Sequence, residues 1–136
     1  MMISTKGRYA LRMMIDLAEH REDGYIPLKD IATRQGISKK YLEIIVKELV
    51  NGKLLSGVSG KGGGYMLCRE PKDYKIGEIL ELLEGSFAVV SCLAPEAEPC
   101  DRAASCKTLP LWKGFYTLVH EYFYSKTLED IITGNI

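Results

Sequence analysis

The chain has 136 residues, of which 46% are hydrophobic and 26% are charged, a balance typical of one soluble globular domain. No stretch approaches the ~18 unbroken apolar residues of a transmembrane helix, and the first 20 residues lack the hydrophobic region of a signal peptide, so we expect a cytoplasmic protein without membrane contact. The net charge is zero, yet residues 1–75 carry 14 Lys and Arg against 9 Asp and Glu, while residues 76–136 carry 4 against 9. Unless this asymmetry arises by chance, it favours a nucleic-acid-binding front half and a regulatory or assembly back half.

The first predicted helix covers about residues 4–20, where Ser4 or Thr5 can cap the N-terminus. Its apolar residues recur at the spacing of one helical face, and the expected stripe consists of Leu11, Met14, Ile15 and Ala18. A loop with Gly24 and Pro27 follows it.

Residues 28–51 have the pattern of a helix–turn–helix. A short helix over about 28–34 ends before Gly36, and Ser38 can cap a second helix over about 39–51. The residues expected to face the core are Leu28, Ile31 and Ala32 in the first helix and Leu42, Ile45, Val46 and Leu49 in the second. Two helices joined by a tight glycine turn predict DNA binding through the second helix; an ordinary helical hairpin with a solvated basic face is the alternative.

If that stripe is buried, the second helix leaves a basic set of residues on its solvent side: Ser38, Lys39, Lys40, Tyr41, Glu43 and Lys47. In this motif the residues near the N-terminus of the second helix reach the base edges. Lysines there can contact phosphate or guanine, and Ser38 can donate to a phosphate. We therefore predict that these residues line a DNA interface.

Two short strand candidates follow, in residues 54–59 and 65–68, joined by the glycine-rich run GKGGG. A two-stranded hairpin directly after a recognition helix predicts a winged helix, whose tip can enter the minor groove or lie along phosphates. Ser59 and Lys61 at this tip are further candidates for DNA contact. The run lacks the GK[ST] ending and the following helix of a nucleotide-binding loop, so we reject that interpretation.

The back half is predicted to contain a helix over residues 76–85, a loop over 86–107, a long helix over about 109–125 and a last short helix capped by Thr127 and Asp130. The stripe of the first of these helices is Ile76, Ile79, Leu80 and Leu83. The long helix has a wide apolar and aromatic stripe, formed by Leu111, Phe115, Leu118, Val119 and Tyr122. This stripe suits either a core helix or a dimer interface, and we favour the dimer because a domain of this size offers little else to cover it.

Three of the four cysteines, Cys92, Cys100 and Cys106, lie in the polar loop before the long helix. In a reducing compartment, clustered thiols more often bind metal or act in redox chemistry than form structural disulfides. An iron–sulfur centre, a zinc site and a disulfide switch between Cys92 and Cys106 remain open. We expect no enzyme, since the sequence has only two histidines and offers no nucleophile–base constellation.

Several segments together resemble the IscR, NsrR and CymR type of bacterial winged-helix regulators, the Rrf-two superfamily, over residues 2–133: STKGRYALRMMIDLA, IPLKDIATRQGISKKYLEIIVKEL, GKGGGYML and TLEDI. The resemblance implies a mainly α winged helix-turn-helix fold with a two-stranded wing and a long C-terminal dimerisation helix. It implies a homodimer that binds operator DNA, usually as a repressor. Residues 1–75 would form the DNA-binding region and residues 76–136 the cluster loop and dimerisation helices, in one compact chain without a flexible linker.

Within this family, members with three cysteines in the loop bind an iron–sulfur cluster, which the resemblance carries onto Cys92, Cys100 and Cys106. A 2Fe–2S cluster is favoured over 4Fe–4S. The C-x7-C-x5-C spacing here has a first gap two residues longer than that of the best-known members. CymR-like members suggest the alternative of a module that is regulated by binding a metabolic enzyme, so a protein partner is a further expectation.

The fourth ligand departs from the family pattern. IscR-type members have a histidine where this chain has Leu109, and NsrR-type members have an acid where it has Arg8. The remaining candidates are Glu43, Asp101, an external ligand and Cys68, which we expect to be a buried wing residue. The wing departs too, because Ser59 stands where IscR-type members have an arginine, and lysine at position 61 suits a narrow minor groove less well.

Overall fold

The computed structural model describes residues 2–136, which form six α-helices and one two-stranded antiparallel sheet. The helices are α1 (Thr5–Glu19), α2 (Leu28–Gln35), α3 (Lys39–Asn51), α4 (Ile76–Glu84), α5 (Leu109–Ser125) and α6 (Leu128–Thr133). The strands are β1 (Leu55–Val58) and β2 (Gly64–Leu67). Three short 3₁₀ turns cover Arg21–Asp23, Pro71–Asp73 and Ser91–Leu93. This architecture confirms the predicted mainly α fold with a two-stranded wing.

The core lies around α1, which contacts α2, α3, α4 and β2. The predicted stripe of α1 is partly wrong. Its fully buried apolar residues are Ala10, Met13, Met14 and Leu17, whereas Leu11, Ile15 and Ala18 are only half-buried. Because partners surround α1 on more than one side, its buried face is wider than a single stripe and has a different centre.

The N-terminus of α1 is held by the end of α4. The Ser4 hydroxyl accepts a hydrogen bond from the Gly7 amide at 3.0 Å and so caps the helix. Glu84 Oε1 accepts bonds from the Ser4 amide at 2.9 Å and from its hydroxyl at 2.7 Å. A Cβ atom on Gly7 would collide with the Glu84 carboxylate, so this close approach requires glycine at position 7.

A buried carboxylate joins α1 to α2. Asp16 is 1% exposed, and the Arg34 guanidinium donates to its two oxygens at 2.7 and 3.0 Å. The Gln35 amide donates to it at 2.9 Å. Burial alone would raise the pKa of Asp16, but the hydrogen bonds from Arg34 and Gln35 and the Arg34 charge outweigh it and lower that pKa. The carboxylate therefore remains charged and fixes the first helix of the helix–turn–helix pair.

The wing is anchored on both sides of β2. Strand β1 pairs antiparallel with β2, with Leu55 opposite Leu67. On the other side, Ile26 and Tyr65 exchange two backbone hydrogen bonds of 2.9 Å. Gly64 has φ +146°, and a Cβ there would strike the Ile26 backbone, so the close approach again depends on glycine.

One tyrosine closes the base of the wing. Tyr74 is fully buried, and its hydroxyl accepts hydrogen bonds from the amides of Cys68 and Arg69 at 2.8 and 3.3 Å while donating to the Leu54 carbonyl at 2.7 Å. Three backbone groups are satisfied by one side chain, which ties the base of both strands to the segment before α4.

The C-terminal elements pack on α4. Residues 74–76 pair with residues 126–128 through bonds from the Ile76 amide to the Lys126 carbonyl at 2.9 Å and from the Leu128 amide to the Tyr74 carbonyl at 3.0 Å. Thr127 and Asp130 form the predicted capping box at the start of α6. Tyr74 therefore contacts the wing through its side chain and the C-terminal half through its backbone.

None of the helices in the described part of the chain combines the length and the apolar character needed to cross a bilayer.

Candidate DNA-binding surface and thiol loop

Helix α3 presents a basic outer face. Its inner stripe, Leu42, Ile45, Val46 and Leu49, is buried as predicted. Ser38 caps the helix by accepting a hydrogen bond from the Tyr41 amide at 3.0 Å, which leaves its hydroxyl proton free to donate. Lys39 and Lys40 in the first turn and Lys47 two turns later are exposed. None of these three lysines takes part in the ion pairs found among residues 2–136.

Tyr41 departs from its predicted place on the solvent side. The residue is half-buried, and its ring meets Tyr9 of α1 edge to face with centroids 5.6 Å apart. Such a contact is a favourable aromatic geometry. The ring of Tyr41 therefore packs α3 against α1, and the basic outer face begins beside it.

The wing and α3 enclose a groove of about 510 Å³. The structure brings together there three residues that the sequence places far apart, Glu43, Lys47 and Ser59, along with the apolar side chains of Val46, Val58 and Tyr65. Ser59 and Lys61 are exposed at the wing tip, where Gly60 and Gly62 take positive φ values of 90° and 77°. The two predicted DNA-contacting elements thus adjoin on one side of the molecule.

One exposed residue on this surface was missed from the sequence. Ile44 lies on the outer face of α3 with 56% of its surface exposed. The signal was available, because residue 44 lies two positions from Leu42 and therefore points away from the buried stripe. A single aliphatic residue off the stripe attracts no notice in a sequence pattern.

The thiol loop lies between α4 and α5. Cys92 is exposed in the 3₁₀ turn Ser91–Leu93, Cys100 is exposed, and Cys106 is half-buried just before α5. Cys100 and Cys106 line the same groove, which Cys92 does not border. The loop therefore brings two of the three predicted ligands together.

The Cys106 thiol is the most polarised of the three. Its sulfur lies 3.4 Å from the Thr108 hydroxyl. That hydrogen bond, followed by those from the backbone amides of Thr108 and Leu109 at the start of α5, lowers the pKa of Cys106, and Arg102 adds a smaller effect. A lowered pKa favours the thiolate, which is the form that binds metals.

Within residues 2–136 no three His, Cys, Asp or Glu side chains are gathered into a metal-binding geometry. The donor chemistry still fits an iron–sulfur cluster, because the loop offers three accessible thiols and one of them has a lowered pKa. Glu43 borders the α3–wing groove, which no cysteine lines. Asp101 is exposed in the thiol loop itself.

The other positions considered for a fourth ligand are also accounted for. Cys68 is exposed just after β2, so the expectation that it is buried was wrong; its amide, and not its thiol, is used in packing. Leu109 is the first residue of α5. Arg8 is exposed and donates to the Thr5 hydroxyl at 2.9 Å.

Helix α5 has two faces. Its inner face contributes Tyr116, Val119, Phe123 and Tyr124 to the core. The Tyr124 hydroxyl donates to Glu81 Oε1 at 2.6 Å, and burial together with this bond raises the pKa of Tyr124 to about 12. The other face exposes Leu111 (64%), Phe115 (43%), Leu118 (68%) and Tyr122 (50%) in one stripe. Val119, predicted to share that stripe, lies on the inner side.

Comparisons with known proteins agree with this architecture. The Rrf2 family model, described as an iron-dependent transcriptional regulator, matches residues 3–134. The HTH-type transcriptional regulator IscR of Xenorhabdus nematophila is 35% identical over 132 residues, covering 97% of this chain and 79% of that protein. The same regulator of Pectobacterium atrosepticum is 33% identical over 134 residues, covering 98% and 80%.

Solved structures lead to the same family. The IscR of T. potens superimposes with a TM-score of 0.78 at 36% identity, covering 100% of this chain and 89% of that one. CymR, the global cysteine regulator of B. subtilis, gives 0.77 at 38% identity, covering 98% and 97%. These relatives are regulators, which confirms the prediction that the chain is not an enzyme. The chain therefore belongs to the Rrf2 family of DNA-binding transcriptional regulators.

Proposed function

We propose that this protein is a homodimeric repressor in the cytoplasm whose operator affinity is controlled by an iron–sulfur cluster held by Cys92, Cys100 and Cys106. The observation that carries the proposal is the position of the three accessible thiols on the single loop that leads into α5. A cluster, when bound there, supplies a centre that oxidation, nitric oxide or iron loss can remove. The 2Fe–2S form is favoured over 4Fe–4S.

The DNA contacts are assigned to α3 and the wing. Lys39, Lys40 and Lys47 carry exposed charges on the face of α3 that points away from the core, where phosphates and guanine edges are their natural partners. Ser38 and the wing-tip residues Ser59 and Lys61 extend this surface. Together with Tyr41 and Glu43 they form the proposed interface in residues 1–75.

The dimer is assigned to the exposed stripe of α5, namely Leu111, Phe115, Leu118 and Tyr122. Four large apolar side chains on one face of a helix are costly to leave in water. A second copy of the same face would cover them with twofold symmetry. Two winged helices held in this way would match two half-sites of an operator.

The fold offers a physical route from the thiol loop to the DNA surface. The loop leads into α5, which packs on α4. The segment before α4 pairs with residues 126–128 and, through the Tyr74 hydroxyl, holds the base of the wing. A tenfold to hundredfold change in operator affinity requires only about 1.4–2.8 kcal/mol of coupling along this route.

Anaerobically purified protein is expected to be coloured, with iron and acid-labile sulfide in stoichiometric amounts, and a Cys106→Ser variant is expected to lose most of this absorbance. Visible spectra and iron–sulfide analysis provide the measurement. Cys68→Ser is the matched control, because Cys68 is also an exposed thiol but lies outside the loop. Colourless protein that takes up no cluster on reconstitution, while its thiols are free, would reject the proposal.

Replacing Lys40 by alanine is expected to weaken operator binding severalfold and to reduce the slope of log K against log salt by about 1, since one phosphate contact is lost. Fluorescence anisotropy at several salt concentrations measures both quantities. Lys113→Ala removes an exposed lysine from α5 and should leave the slope unchanged. Equal slopes for wild type and Lys40→Ala would remove this residue from the interface.

A thiol switch is a second candidate that one observation favours. Cys100 and Cys106 line one groove, and the lowered pKa of Cys106 favours the reactive thiolate. This pair differs from the Cys92–Cys106 pair expected from the sequence. Peptide mass mapping of air-oxidised, metal-free protein distinguishes the pairs, while stoichiometric zinc without iron in native protein would identify a zinc site instead. Co-purification of a metabolic enzyme, together with weak and salt-insensitive DNA binding, would indicate a CymR-like module.

A further inference from the structure

Ile44 is an apolar residue in the middle of a polar helix face. Six residues of α3 are exposed in the described chain: Lys39, Lys40, Glu43, Ile44, Lys47 and Asn51. Ile44 is the one apolar member of this set, and 56% of its surface is exposed. Core packing does not explain an isoleucine here, because the buried stripe lies on the opposite side of the helix.

A lone exposed aliphatic residue is ordinary on a protein surface, so the neighbours of Ile44 decide what it means. Lys40 lies one turn before it and Lys47 one turn after it, on the same face. Both lysines are exposed, and neither forms an ion pair among the described residues. Any surface that covers Ile44 must therefore also accept two positive charges within one helical turn on either side.

The major groove of DNA offers this combination. Its phosphates take the lysine charges, and the 5-methyl group of thymine is the one apolar group that a base pair presents there. A β-branched side chain is stiff at χ1, so Ile44 would hold a fixed shape against that methyl group. It has no donor or acceptor and cannot read the hydrogen-bonding edge of a base.

We infer that Ile44 is a specificity-determining residue that packs against the 5-methyl group of a thymine in each half-site. This inference rests on the proposed DNA interface of α3 and adds to it the base that the middle of the helix selects. It predicts discrimination against cytosine, which lacks the methyl group, and against uracil, which differs from thymine by that group alone.

The test uses the full-length protein, cluster-free and reconstituted, to select its preferred duplex from a random DNA library. Each thymine of the selected duplex is then replaced by deoxyuridine, which removes one methyl group. At one thymine per half-site, wild-type protein should lose about fourfold in affinity, and about 15-fold when both half-sites are changed. The Ile44→Ala variant should bind the thymine and deoxyuridine duplexes equally well, while Ile44→Val should retain part of the difference.

Ile132→Ala is the matched control, because it removes an exposed isoleucine from α6 and should keep the full deoxyuridine effect. Thermal unfolding of each variant checks that the fold is intact. If wild-type protein selects a duplex but no deoxyuridine substitution weakens binding, or if the loss persists unchanged in Ile44→Ala, the inference is overturned while DNA binding stands. Selection of no duplex at all would overturn the proposed function and the inference together.

Discussion

Replacing Leu118 by glutamate is expected to convert the protein from a dimer into a monomer and to lower its affinity for a two-half-site operator by roughly 10²–10⁴-fold. Leu118 is 68% exposed at the centre of the α5 stripe. Two linked DNA-binding units gain this range over one unit when both half-sites are engaged. The loss therefore follows from dissociation, without any change in α3 or the wing.

The energetic reason lies in the composition of the stripe. Fully burying a leucine or phenylalanine side chain is worth about 1.5–3 kcal/mol, and four such side chains on each copy would be covered in the dimer. A carboxylate at position 118 would have to be buried against its own copy without a compensating partner. Repulsion and desolvation would thus outweigh what the remaining three side chains contribute.

Thr117→Glu provides the control for this prediction. Residue 117 is exposed on the same helix and directly precedes Leu118, but it lies off the stripe, so the same added charge should leave the dimer intact. Sedimentation velocity gives the oligomeric state and anisotropy titration gives the operator affinity. A Leu118→Glu protein that remains dimeric would show that α5 does not form the interface.

The variant Asp16→Asn is expected to lose about 3 kcal/mol of unfolding free energy at neutral pH. The carboxylate accepts three hydrogen bonds from Arg34 and Gln35 in a fully buried position, and an amide can replace neither its charge nor its second acceptor. Arg34 is partly exposed and can return to water, which keeps the loss toward the lower end for a broken buried pair. Chemical denaturation measures the difference.

The same contact predicts a dependence on pH. The folded state holds the pKa of Asp16 below its ordinary value, so the stabilisation is fully present above the unfolded pKa of ~3.9 and is lost as pH falls through the folded pKa. Wild-type protein should therefore lose stability below about pH 4 more steeply than Asp16→Asn. Asp73→Asn removes an exposed carboxylate outside the ion pairs of the described chain and should keep the wild-type slope. Parallel curves for wild type and Asp16→Asn would contradict this role.

Local signals in the sequence were sufficient to place the helices and the wing. Ser38 at the start of α3, Gly36 before it and the Thr127–Asp130 capping box act within a few residues of the ends they define. The predicted helix ends accordingly agree with the structure to within one or two residues. The inward stripe of α3 was predictable for a similar reason, because one side of that helix faces a single core.

Packing on more than one side was not predictable from periodicity. Helix α1 buries Met13 and Leu17 because α2, α3, α4 and β2 all contact it, and Tyr41 turns toward Tyr9 instead of solvent. The aromatic stripe of α5 reads as one surface in the sequence. In the structure it separates into an inner face with Tyr124 and an outer face with Leu118, since only the position of α4 decides which side of a uniformly apolar helix is covered.

The sequence by itself determined that three cysteines share one polar loop after a winged helix-turn-helix, and that a basic face precedes an acidic half. Only the tertiary structure decided that Cys100 and Cys106 line one groove beside the start of α5 while Cys92 lies in a separate turn. It alone also left Ile44 uncovered between two free lysines on α3. Residue types fix which ligands and charges a chain carries, but the spacing between groups that are distant along the chain depends on how helices pack and how a loop is routed between them.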